Sequence, residues 1–131
     1  MFELNKELIK ELDDNTSKLI YEIKKSFEVK NYLLGILGFR IFVLHIAGHL
    51  GMKDPESFKK SLNYIEKSGF SWPSENNENG NEILKILIKE INSINHDWNF
   101  DYNEISNFEN AKIYWSWVNP LLSFLFVKYN R

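Results

Sequence analysis

The chain has no cysteine, which excludes a disulfide framework, a thiolate metal site and thiol redox chemistry. It has no surplus of positive charge either. Sixteen Lys and Arg against 18 Asp and Glu leave a formal net charge of −2, whereas a protein that grips nucleic acid nonspecifically carries a basic excess. Glycine-rich phosphate loops, a GxSxG elbow, HExxH and paired-carboxylate motifs are all missing, which removes the commonest enzyme classes. No stretch of useful length alternates apolar and polar residues as a strand would. The amino terminus, MFELNKELIKELDD, is charged and amphipathic and lacks the basic start and apolar core of a secretory signal. A cytoplasmic location is the expectation.

Apolar and aromatic bulk is plentiful. Hydrophobic residues make up 44% and aromatics 15% of 131 positions, enough for a packed core and contrary to the composition of disordered chains. A chain of this length is expected to fold as one domain over 1–131, burying about two-thirds of the surface its unfolded form exposes. The richest stretch is Tyr32 to Gly51, YLLGILGFRIFVLHIAGHLG, which holds the one internal arginine, Arg40, and two of the three histidines, His45 and His49. Segment 32–50 is long enough to cross a bilayer. Arg40 at its middle would then cost about 2.5 to 3.5 kcal/mol, and the two-faced helices around it need a protein surface for their apolar sides. The expected fold is therefore all-α: a compact single-domain bundle of five to seven helices around a buried central helix at about 32–50.

Helical spacing of Leu4, Leu8, Ile9 and Leu12 predicts a first helix over 2–13. The cluster 13–17 offers an N-cap to a second, with Leu19, Ile20, Ile23 and Phe27 inward. Gly35, Gly38 and Gly48 each lower helix propensity by about 1 kcal/mol relative to alanine, which makes sense where another helix comes close. Gly51 reads as a C-terminal stop. Asp54-Pro55-Glu56 predicts the next helix start, with Phe58, Leu62 and Ile65 inward and Gly69 at its end. Residues 71–82 read as a surface loop, and 82–96 as an amphipathic helix. Ser106 and Glu109 fit a capping box. Asn119-Pro120 interrupts the helix that follows, and LLSFLFVKYN closes the chain as the last one.

Arg40 and His45 form an Arg-x4-His pattern, which resembles the short catalytic motif of HEPN-type ribonucleases, small all-α domains. The resemblance covers six residues. It implies a dimer in which Arg40 holds the scissile phosphate and His45 assists 2′-hydroxyl attack. The insert is wholly apolar, starting at Ile41, and the motif lies early in the chain, both departures from the family pattern. Five residues of helix also set the two side chains about 140° apart. The structural alternative is that Arg40 bridges a buried carboxylate and His45 is a hydrogen-bonded core histidine.

His45 and His49, at i and i+4, share a helix face and suit two ligands of one metal, with His96 and Asp97 as further donors. Ile46, Ala47 and Gly48 between them supply no catalytic acid or base, and neither metal nor cofactor is expected. Residues 97–103 start like a calcium loop, but Tyr102 stands where the turn needs glycine and Phe108 where a bidentate Glu belongs.

The last third gathers rings among acids. Trp72, Asp97, Trp98, Asp101, Tyr102 and Glu104 are the expected partner-binding residues, since Trp and Tyr anchor interfaces and acids suit a basic partner. The leading expectation is a small acidic protein-binding module, most concretely an immunity protein or antitoxin that neutralises a toxin such as a nuclease. The alternatives are the HEPN-like dimeric ribonuclease using Arg40 and His45, and a helical protein held at a membrane surface by 121–127.

Overall fold

The computed structural model describes residues 2–10, 12–72, 89 and 102–129. The expected loop beyond Trp72, the helix over 82–96, and His96, Asp97, Trp98 and Asp101 lie outside them. The described residues are helical and contain no strand. A short 3-10 turn, Lys6–Ile9, precedes α1 (Asp14–Glu28), α2 (Tyr32–His49) and α3 (Phe58–Lys67). Then come α4 (Tyr102–Ile105), α5 (Phe108–Ser116) and α6 (Val118–Tyr129). The all-α bundle is as the sequence predicts.

Local chemistry sets most boundaries. Asp13 is extended and its carboxylate accepts from the Thr16 amide, capping α1 and satisfying one of the orphan donors of the first turn. Gly51 and Gly69 both have φ +110, the left-handed conformation that ends a helix without steric cost. Two expected starts move. Asp54, Pro55 and Glu56 precede α3 without opening it: Asp54 has φ +50, and Ser57 is the cap, accepting from Lys60. Asn107, one residue past Ser106, caps α5 by accepting from Asn110. The first expected helix shrinks to the 3-10 turn, because Phe2 and the residues after it follow the C-terminal helices. Trp115 donates to the Glu3 carbonyl at 2.8 Å, and the Asn119 side chain both donates to Glu3 and accepts from the Asn5 amide.

The core forms one cluster with α2 at its centre, packed by α1, α3, α5 and α6. Ile36, Phe39, Phe42, Val43, Ile46 and Ala47 of α2 are fully buried. The ring of Phe27 occupies the space that a side chain at Gly35 would need, and Ile23 does the same at Gly38. These glycines let α1 lie close against α2, since a bare α-carbon offers no obstacle. Burial of α2 is one-sided, however. The helix is apolar and long enough to cross a membrane by length and composition, yet only 39% of it is buried in the fold. Leu34 and Ile41 are exposed, at 62% and 47%, and Gly48 continues their line.

Candidate functional site

Two regions hold the expected site residues. The first is α2. Its histidines do not face a common ligand; they converge on a threonine of α1. Thr16 lies in register with Ile20, Ile23 and Phe27 on the inward stripe and is fully buried. Its hydroxyl is 2.5 Å from Asp13 Oδ1, 3.1 Å from His45 Nδ1 and 3.4 Å from His49 Nε2. His49 Nε2 is also 2.8 Å from Asp13 Oδ1.

Proton counting fixes the roles. A carboxylate only accepts, so the single Thr16 proton goes to Asp13 and His49 Nε2–H donates to the same oxygen. Thr16 is left with lone pairs, so His45 must present Nδ1–H. Asp13 thus accepts from the Thr16 amide, the Thr16 hydroxyl and His49 at once. The Thr16 hydroxyl bond is the largest cause holding its carboxyl below the ordinary aspartate range, with the His49 bond and charge adding to it against some desolvation. The arrangement is a structural latch between the start of α1 and the end of α2. Buried Thr16, its proton committed, is no nucleophile. Among the described residues no three His, Asp or Glu side chains are grouped to hold a metal.

Arg40 departs from expectation. The buried carboxylate foreseen for it is absent among the described residues: no salt bridge reaches it, and its buried Nε has no acceptor. It occupies one flank of the exposed stripe while His45 occupies the other, in keeping with their roughly 140° separation. His45 is engaged by α1, so the two side chains of the Arg-x4-His pattern do not meet.

The second region is the acidic-aromatic end. Tyr102 is 53% exposed, and Glu104 beside it is exposed. The four-residue helix that carries them is pinned from behind. Asn107 donates to the carbonyls of Asn103 and Glu104, and Asn110 to those of Glu104 and Ile105, while Ile105 is buried. These two asparagine braces had no place in the sequence reading; their spacing three and six residues after Glu104 is the signal that could have shown them. Trp72 is a correction. Expected at the surface, it is 6% exposed, its ring edge-on to Phe70 at 4.8 Å and to Trp117 at 5.0 Å. A large ring beside aromatic partners gains more by burial than its polar neighbours in the sequence suggest.

Of the stretch 121–127 proposed for a membrane surface, Leu121, Leu122 and Leu125 are buried, and Val127 is its one exposed large hydrophobic residue. Comparison with protein-family models, curated proteins and solved structures finds no match to this chain.

Proposed function

We propose that the chain is a small helical protein-binding module of the inhibitor kind, an immunity protein or antitoxin that seats on a toxin with a basic surface. The observation that carries this reading is the exposed Tyr102–Glu104 turn, held rigid by Asn107 and Asn110. A tyrosine offers large contact area at little entropic cost. An adjacent acid steers a basic partner, and a pinned backbone lowers the ordering cost of binding. The formal charge of −2 has the sign such a partner needs. Co-expression with nuclease toxins tests it, scored by cell survival. Wild type protects, and the folded Tyr102→Ala/Glu104→Lys variant does not; equal protection by both, or by neither, removes the reading.

The ribonuclease reading keeps one point in its favour, the arginine with no carboxylate partner among the described residues. RNA cleavage with metal chelated decides it. The binding reading expects no cleavage by wild type, whereas cleavage lost in folded Arg40→Ala and His45→Ala would replace it.

A further inference from the structure

The exposed stripe of α2 has chemistry of its own, and it is not that of the Tyr102 turn. Leu34, Ile41 and Gly48 recur every seven residues and line the solvent side of the helix. Leu37 and Leu44 lie half-buried along one edge, and Arg40 sits between them in sequence at i+3 and i−4, on the same flank. From Leu34 to Gly48 the stripe spans about 21 Å at 1.5 Å per residue, four turns of helix. No acid occurs anywhere from Val29 to Lys53, while Lys30, Arg40 and Lys53 do. The neighbouring surface of α1 differs. There Lys18 pairs with Asp14 at 3.0 Å and Lys24 with Glu28 at 3.0 Å, so its charges answer one another. Arg40 has no such counterpart among the described residues.

We infer that the α2 stripe is a second docking surface, for an amphipathic helix of a partner protein that brings leucine-like side chains to Leu34 and Ile41 and a carboxylate to Arg40. This rests on the protein-binding reading and adds a surface of opposite charge preference to it. Three observations select this occupant. The stripe is one residue wide where most exposed, which suits a helix lying along it in ridge-and-groove contact. A partly desolvated guanidinium with no counter-ion among the described residues is completed by a carboxylate fork, which arginine matches in two parallel bonds. Gly48 is exposed, and a side chain added there would meet only Pro55, at 3.5 Å, which leaves room for the end of that helix. A lipid surface, the other chemistry that an apolar stripe flanked by Lys30 and Arg40 would take, is kept as an outcome of the test.

Two synthetic helical peptides test the assignment. Each has 18 residues with leucines at helical spacing; one carries glutamates beside the leucine stripe, the other lysines at the same positions. The full chain binds the glutamate peptide at least about tenfold more tightly than its lysine twin, a ratio worth about 1.4 kcal/mol. Arg40→Gln brings the two affinities together, and Ile41→Glu, folded by circular dichroism, abolishes both. Equal affinity for the two peptides overturns the proposal, as does binding that survives Ile41→Glu. Binding to phosphatidylglycerol vesicles but to neither peptide overturns it in favour of a lipid surface. A dimer that Ile41→Glu dissociates, without peptide binding, overturns it in favour of a second copy. Cell protection by the Ile41→Glu variant separates the two readings: if it persists while peptide binding never appears, the inhibitor reading stands and this surface falls.

Discussion

Thr16 and His45, 29 positions apart, meet at 3.1 Å through the threonine hydroxyl and the imidazole Nδ1. Because that hydroxyl gives its proton to Asp13, His45 is the donor. Nitrogen-resolved NMR of the imidazoles checks this: neutral His45 carries its proton on Nδ1 and neutral His49 on Nε2. Thr16→Val removes the shared oxygen and strands the half-buried His45 donor, with an expected loss of about 1–3 kcal/mol measured by urea unfolding.

Acid should open the same latch from the Asp13 side. Asp13 has its folded-state pKa lowered, so its contribution is fully present above the ordinary value of 3.8 and is lost as pH falls through the lowered one. Asp13→Asn, compared with wild type in urea titrations between pH 2 and pH 7, should remove the acid-side slope that Asp13 supplies. An unchanged slope would show that other carboxylates govern it.

Gly35 and Gly48 should respond oppositely to alanine. At Gly35 the new methyl meets the buried Phe27 ring, and overpacking of this kind costs about 1–3 kcal/mol. At Gly48 the nearest neighbour is Pro55 at 3.5 Å, so the helix gain of roughly 0.5–1 kcal/mol is realised. Thermal melts of the two variants should move in opposite directions.

Arg40→Met should be neutral or stabilising by about 1 kcal/mol, since it removes a partly desolvated group whose buried Nε has no acceptor and keeps the apolar stem. Breaking a buried ion pair would instead cost about 3–5 kcal/mol. Equilibrium unfolding of the folded variant separates the two cases, and a loss of the larger size would mean that Arg40 has a partner.

What the sequence discloses here is mainly local. Caps and stops are short-range devices, so Asp13, Gly51 and Gly69 are legible from a few residues each, whereas the break expected at Asn119-Pro120 falls at Trp117 and Pro120 lies in the first turn of α6, where a proline costs no helical bond. Apolar spacing likewise identifies Ile20, Ile23 and Phe27, then Phe58, Leu62 and Ile65, as inward faces. Asp54-Pro55-Glu56 misleads because the same residue types serve a turn as well as a cap, and the positive φ at Asp54 is decided by how the chain leaves α2. Trp72 misleads because its neighbours are polar while its ring contacts are Phe70 and a tryptophan 45 positions away. The latch was half visible. A hydroxyl in line with Ile20 and Ile23 signals a buried polar partner, but nothing local says that the partner is His45. Arg40 was legible as a conflict and illegible in its resolution, since pairing depends on what the other helices bring near.

The bonds from Trp115 and Asn119 to Glu3 span 112 and 116 positions, and this has a meaning for a chain made from its amino end. Phe2, 7% exposed in the finished fold, rests on Phe27, Phe108 and Trp115, two of which are translated near the end. At about 5–20 residues per second, the first residues therefore wait roughly ten seconds for their berth. During that interval α1 and α2 can pair through their glycine contact, while Phe2 has only Phe27 of its three ring partners to rest on.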